Sequence, residues 1–551
     1  MPNGSMTGVT ALPATHGNFN LLKIDFMNTS LTLLPPGAVT LRGVLGNALN
    51  QTVANRLKKL DYRQMVDPFR YRNEADNRWR CEFWGKVVRS AVYAWRGTQD
   101  AELKKMLTDT VADLLSTQTP DGCISSYPVE KQLGGWDIWG RKYVLTALMA
   151  YYQEIDPDPQ ILQKMLRAAH QLLDAVPVIP DMGEHYGLAA SSILRVFNEL
   201  QLATGDKRLR DTVDYLVERG CCLHDVFHMA HIGVSPAELS NGKAYEMTSC
   251  FQGLVSVCAD RKDPLMREIA EKYYRSVRDQ EIFITGGGGL KDVSGEFWFN
   301  GKKRQANADC GGVGETCITV SWLGFCLELL KLSGDTSIAD EMERSLYNAL
   351  LGAVADNGAN FIHVNPTLSG GWKRPSGNQM PDFAGHDCCR AQGPYGLAIA
   401  PMLAVMKSPD GYLVNLYDDM NVDGVLEING NFPVSDTAEI TVFKEGEYEL
   451  ALRIPAEYGC RVNGKTVPAG KVYRLKKNWT KGEKIALEFD FSVRKAELTP
   501  YHAFVTGPLV LCREENGTGE PVLRRAGELV DYASAGKRFS PENTLAVWLK
   551  D

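Results

Sequence analysis

Two adjacent cysteines, Cys388 and Cys389, lie in "HDCCRAQGP" at residues 386 to 394, a polar stretch punctuated by glycine and proline where a buried structural thiol has little reason to be. Earlier in the chain, "GETC" at 314 to 317 puts Glu315 and Cys317 two residues apart, a separation at which a carboxylate and a thiolate converge on one ion when the backbone is extended or enters a helix. Together these residues form a Cys₃Glu set. Such soft, anionic ligands suit tetrahedral Zn²⁺, at about 2.3 Å to sulfur and about 2.0 to 2.2 Å to oxygen. Three thiolates and a carboxylate outweigh the charge of a divalent ion, so at least one sulfur stays electron-rich and can serve as a nucleophile. Spacing alone leaves other readings open: Cys317, in an apolar segment, suits a small buried hydrophobe, and a vicinal pair suits a redox disulfide.

A second reactive group is offered by "TGGGGLKDVSGEFW" (285 to 298), a glycine-rich run that ends in Glu296 beside Phe297 and Trp298. It is no phosphate loop, because no Gly-Lys-Ser/Thr follows and no strand-to-helix unit surrounds it. Aromatic neighbours partly desolvate a carboxyl and raise its pKa, which suits a general acid. A solvated loop acid would look the same in sequence.

The elements that must hold these residues change character along the chain. From about residue 50 to 405 the apolar spacing is helical: "CEFWGKVVRSAVYAWRG" places Phe83, Val87, Val88, Ala91 and Trp95 on one face. "FNELQLATGDKRLRDTVDYL" and "CLELLKLSGDTSIADEMERSL" each run an apolar helix into a Gly-Asp turn and a new helix, with Gly205 and Gly334 suited to the left-handed position that ends a helix. Helix hairpins repeated over such a length predict an (α/α)6 toroid. After about residue 410, short β-prone runs separated by turns, among them the hairpin signal Asn463-Gly464, predict an antiparallel β-sandwich. The expected organisation is an N-terminal segment (1–49) able to pack on the sandwich, a helical catalytic barrel (50–405) and the sandwich (406–551).

The 551 residues carry a formal net charge of −7 with acids and bases interleaved, and lack the basic stripe of a nucleic-acid binder. No run of eighteen apolar residues suggests a membrane anchor, and the polar start shows no leader, although a chain from which one had been cut would begin in the same way. A cytoplasmic location is expected, or a periplasmic one where a signal peptide has been removed. Thirteen cysteines without regular spacing favour reduced or metal-held thiols over a disulfide framework.

At these residues the sequence resembles the β-L-arabinofuranosidase family, glycoside hydrolase family 127. "GGWDIWGRKYVLTALMAYYQ", "GETC" with the helices after it, the Cys-Cys pair, and "LRIP", "VNG" and "TGPLVL" occur in the family's order; Glu-x-Cys with Cys-Cys is the specific part. The resemblance implies a zinc-dependent retaining glycosidase acting on a carbohydrate, with no nucleic-acid or membrane partner and a homodimer left open. It makes Glu315, Cys317, Cys388 and Cys389 the metal ligands, Cys388 the nucleophile and Glu296 the general acid/base. Trp136, Asp137 and His185 suit sugar contacts and equally suit core positions. Where the arabinofuranosidase branch tends to offer glycine-histidine pairs, this chain has Arg141, Lys142 and Lys243, and Arg390 stands where that branch commonly has proline. These cations either receive an acidic sugar, since arginine can hold a carboxylate with two parallel hydrogen bonds, or pair with acids such as Asp137 and Glu246. A carbohydrate-binding protein with a structural zinc is the non-catalytic alternative.

Overall fold

Helices carry the chain from Val44 to Ala404, and from Val405 onward it runs mainly in strands. The computed structural model describes residues 31–73, 80–176, 183–289, 296–306, 313–375, 387–517 and 522–550. Residues 1–30 of the N-terminal segment and 290–295 of the glycine-rich run lie outside the described residues.

Six helices surround the residues of interest: α1 (Arg80–Thr98), α2 (Gly135–Glu154), α3 (Leu194–Thr204), α4 (Ala244–Arg261), α5 (Thr316–Ser333) and α6 (Cys388–Ala404). α1 packs on α2 and α6, α2 on α3, α3 on α4, α4 on α5, and α5 on α6. Their sequences are apolar on several faces because other elements enclose them: α5 buries Ile318, Val320, Trp322, Leu323 and Phe325 alike. Composition alone would let α5 cross a bilayer, but it is buried within the helical core. The helix Lys207–Glu218, in contrast, buries the single stripe Leu209, Thr212, Val213 and Leu216 expected of an outer helix. Gly205 and Gly334 end α3 and α5 at φ of 72° and 68°, and Asp206 caps the following helix by accepting from Leu209 N at 2.9 Å. α1 and α2 meet backbone to backbone at Gly85, where a Cβ would lie 2.3 Å from the carbonyl carbon of Tyr143.

The helical part is not purely helical. β1 (Val313–Glu315) pairs antiparallel with β2 (Ile362–Pro366), and a further short strand, Arg374–Pro375, joins β2. Among the described residues, the region after Val405 forms three sheets rather than two. A five-stranded sheet is ordered Thr32–Leu33, Val405–Ser408, Gly411–Val414, Gly446–Arg453, Val472–Trp479. A seven-stranded sheet ends on Val39–Leu41, and a third is built from strands between Arg494 and Lys550. Pairing is antiparallel throughout these sheets except between Gly411–Val414 and Gly446–Arg453, which are parallel because the intervening chain crosses to the seven-stranded sheet and returns. The third sheet packs on the helical part: Asn348 accepts from Val510 N at 2.7 Å and donates to Pro508 O at 2.9 Å.

Arg453, 1% exposed, ties strand to helix. Its guanidinium pairs with Asp340 and, at 2.6 Å, with Glu343, while Tyr458 donates to the other oxygen of Glu343 at 2.6 Å. Removing the cation strands the buried Glu343 and the partly buried Asp340, so Arg453→Met should lose about 3–5 kcal/mol of stability in a denaturant titration.

Lys373 is fully buried and donates to Tyr532 O at 2.7 Å; burial, with Lys537 nearby, pushes its ammonium down to about 7. An unfolded lysine holds its proton up to about pH 10.4. As the pH falls from there through 7, the unfolded chain takes up a proton that the folded chain refuses, and stability is lost. Lys373→Met should therefore gain on wild type as the pH is lowered from about 10 to about 7, measured by denaturation at each pH.

Candidate functional site

The site is built on helix N-termini, which favour negative charge. Glu82 lies in the first turn of α1, Asp137 in that of α2 and Glu246 in that of α4, whose N-cap is Lys243; Glu315 is the N-cap of α5, and Cys388 and Cys389 open α6. Glu315 ends β1 and caps α5 with Oε2, which accepts from Ile318 N at 3.1 Å. That leaves Oε1 facing sulfur, 3.1 Å from Cys389 Sγ and 3.8 Å from Cys388 Sγ. Cys317 Sγ lies 3.4 Å from Cys389 Sγ, and Cys388 Sγ lies 3.8 Å from Cys389 Sγ. α6 is anchored by its own cap, Asp387, which accepts from Arg390 N at 2.9 Å.

One ligand atom from each of Glu315, Cys317, Cys388 and Cys389 lies within 4.8 Å of the others. Tetrahedral zinc at about 2.3 Å from sulfur would set sulfurs about 3.8 Å apart, so the cluster fits such an ion with small adjustments. Burial holds the Glu315 carboxyl and the Cys317 and Cys389 thiols well above their ordinary pKa values. Cys388 is the exception: hydrogen bonds from Cys317, Cys389 and His363 hold it well below. It is also the one member of the four that keeps partial exposure.

His363 was not evident from sequence. It stands on β2, whose pairing with β1 sets Val364 opposite Glu315. Its Nδ1 lies 3.4 Å from Cys389 Sγ and 3.7 Å from Glu315 Oε1. Burial opposes its protonation, but the Cys388 hydrogen bond and the charges of Glu315, Cys388 and Glu296 raise its pKa to about 10.

Glu296 is fixed from several sides. Its Oε2 accepts from Lys243 Nζ at 2.8 Å, and its backbone carbonyl accepts from Ala244 N at 2.8 Å. Just beyond it, Trp298 N donates to Gly242 O at 2.8 Å. Glu281, another residue with no signal in sequence, accepts from Phe299 N, Asn300 N and Gly301 N at 2.9, 3.0 and 3.0 Å and clamps the following turn. Beside Glu296 runs an aromatic wall: His185 meets Phe297 and Trp136 edge-on, with centroids 6.3 and 6.1 Å away. Asn241 Nδ2 reaches His185 Nδ1 at 3.0 Å, and burial together with Lys243 lowers the imidazole to about 4, so it is neutral at neutral pH.

The four cations singled out in sequence do not share one fate. Arg141 and Asp137, 2% and 1% exposed, pair with each other at 3.0 Å. Asp137 also accepts from Leu133 N at 2.8 Å, so both are occupied in fixing the loop before α2 rather than presented to a sugar. Lys243 is taken by Glu296 at 2.8 Å and Glu246 at 3.8 Å, and Arg390 Nε lies 3.2 Å from Asp387. Lys142 has no such acid among the described residues. Glu82 and Lys86, also missed, form a buried pair under the cluster, with Lys86 Nζ 4.6 Å from the centre of the Tyr245 ring.

Comparison with known proteins bears on this arrangement. A family model described as β-L-arabinofuranosidase, GH127 catalytic domain, matches residues 40–398. A non-reducing end β-L-arabinofuranosidase of Bifidobacterium longum subsp. longum is 23% identical over 536 residues, covering 83% of this chain and 79% of its own length. The crystal structure of a GH127 β-L-arabinofuranosidase from Geobacillus stearothermophilus T6 matches at a TM-score of 0.69 and 18% identity, covering 93% of this chain and 99% of the other. A solved GH127 β-arabinofuranosidase matches at 0.72 and 18%, covering 95% and 98%. At such identities the structural likeness speaks for the fold.

The cluster carries its own expectation. Cys317→Ala should abolish tight binding of an added divalent metal ion, whereas His363→Phe, which removes a group outside the four, should weaken it by about 10- to 100-fold. Competition against a chromophoric chelator measures both.

Proposed function

This chain belongs to the β-L-arabinofuranosidase GH127 family, and on that premise we propose that it is a zinc-dependent retaining glycosidase that releases terminal β-L-arabinofuranose from plant-type glycans or glycoconjugates. The observation that carries the reading is the Glu315, Cys317, Cys388, Cys389 cluster, with every ligand atom within 4.8 Å of the rest and one sulfur partly exposed. Zinc, held by those four residues, supplies the positive charge that keeps their thiols deprotonated at neutral pH. The order in which α1 to α6 pack supports a toroid closed around this point, with the sheets bracing it from outside.

In the proposed reaction Cys388 Sγ attacks the anomeric carbon while Glu296 gives its proton to the leaving oxygen. Glu296 then takes a proton from water, whose oxygen displaces the sulfur and restores the original configuration. Lys243 holds one oxygen of Glu296 and fixes the direction of the carboxyl. Trp136, His185 and Phe297 offer ring surface to the sugar. Because Arg141, Lys243 and Arg390 are each answered by an acid of this chain, a neutral sugar is favoured over an acidic one.

With an aryl β-L-arabinofuranoside as substrate, Cys388→Ser should lower turnover by roughly 10⁴-fold or more, and Glu296→Gln by about 10²- to 10⁴-fold, least where the leaving group is good. Intact-mass analysis of Glu296→Gln after brief exposure to substrate should find one pentose attached to Cys388. Full activity in Cys388→Ser, or a pentose carried on a carboxylate, would overturn the assignment.

A further inference from the structure

Below the candidate site, along the same helices, lies a small polar cavity lined by Arg89 of α1, Lys142 of α2, Ser249 and Gln252 of α4, and Gln392 of α6. The cavity has a volume of about 30 Å³, enough for one or two waters or one halide ion.

The charges around this space do not balance. Lys86, above it, is answered by Glu82, and Arg195, which also lines it, by Glu199 at 2.9 Å and Glu328 at 3.2 Å. Arg89 and Lys142, 8% and 6% exposed, form no ion pair with a carboxylate among the described residues. Lys142 Nζ makes no hydrogen bond there; it rests 3.8 and 3.9 Å from the ring centres of Trp139 and Tyr143. Arg89 donates through Nη2 to Gln392 Oε1 at 2.8 Å, and its Nε has no partner. A guanidinium does not give up its charge in a protein, and a buried cation without a counter-charge is strongly disfavoured. Burial and the neighbouring Arg89 push Lys142 well below its ordinary pKa. The wall thus offers two nitrogen groups that pair with no carboxylate among the described residues, one acid, Glu199, that is taken by Arg195, and room for one small ion.

We propose that this cavity is a binding site for one monovalent inorganic anion of halide size, chloride in ordinary buffers, held between the Lys142 ammonium and the Arg89 guanidinium. The ion enters past Gln153 and Glu199, which line the cavity at the ends of α2 and α3 and retain exposure, so it need not pass the cysteine cluster. The anion completes the charge of the helical core one layer beneath Tyr143 and Tyr245, whose hydroxyls meet and whose chain of contacts runs from Tyr245 Oη to Gln392 Oε1 at 2.7 Å. The inference stands apart from the glycosidase reading, since it rests on charges outside the catalytic set.

Thermal unfolding in sodium chloride against sodium gluconate at constant ionic strength tests it. Wild type should gain roughly 2 °C or more in melting temperature, saturably, with bromide acting as chloride does; Lys142→Met, which removes the cation and keeps the bulk, should show no halide-specific gain. Wild type melting alike in both salts, or Lys142→Met gaining as much as wild type, would overturn the proposal. Crystals of wild type grown in bromide decide it without any variant: an anomalous peak beside Lys142 Nζ and Arg89 is expected, and none there refutes it.

Discussion

Four ligand atoms that each carry or can carry negative charge are packed within 4.8 Å of one another, three of them on fully buried residues and the fourth, of Cys388, on a partly exposed one. Left alone, such a group lowers its energy by keeping protons, and that is the state that burial imposes on Glu315, Cys317 and Cys389. A divalent cation reverses the balance. What makes the crowding affordable to the fold is the placement of the groups on the first turns of α5 and α6, where backbone N–H groups and helix dipoles point at them.

The same device is repeated around the site. Glu82, Asp137 and Glu246 stand in the first turns of α1, α2 and α4, so the helices deliver their acids to one end of the helical part, and α1 and α2 carry the partner cations Lys86 and Arg141 one turn further down. The acids of these first turns have cations of this chain beside them: Asp137 holds Arg141, Glu82 holds Lys86, and Glu246 shares Lys243 with Glu296. The segment carrying Glu296 owes its position to backbone contacts with Gly242 and Ala244 and to the three N–H groups held by Glu281. The third sheet contributes at a distance, through Asn348 and through the packing of Ala306 and Leu368 against its apolar face.

The Cys388-Cys389 and Glu315-x-Cys317 pairs were legible because residue type and spacing together are unusual, and the switch from helical to alternating apolar pattern near Ala404 was legible because the two periods differ. Gly205 and Gly334 could be placed because only their kind of residue ends a helix cheaply at positive φ. His363 could not: a single histidine on a short strand carries no pattern, and its meaning comes from the β1–β2 register alone. Glu281 looks like any acid at the end of a helix, its partners being backbone groups supplied by a later turn. The sequence could list Arg141, Lys243 and Arg390 as cations near the site, but whether each faced a substrate or an acid of its own depended on pairing across elements. The third sheet escaped notice for a similar reason, since its strands carry the same alternation as those before them.

X-ray absorption at the zinc edge on the zinc-loaded protein interrogates the central cluster most directly. Three sulfurs at about 2.3 Å and one oxygen at about 2.0 to 2.2 Å are predicted. A shell made of nitrogen and oxygen alone, or one that keeps three sulfurs after both Cys317 and Cys389 are replaced by alanine, would contradict the account.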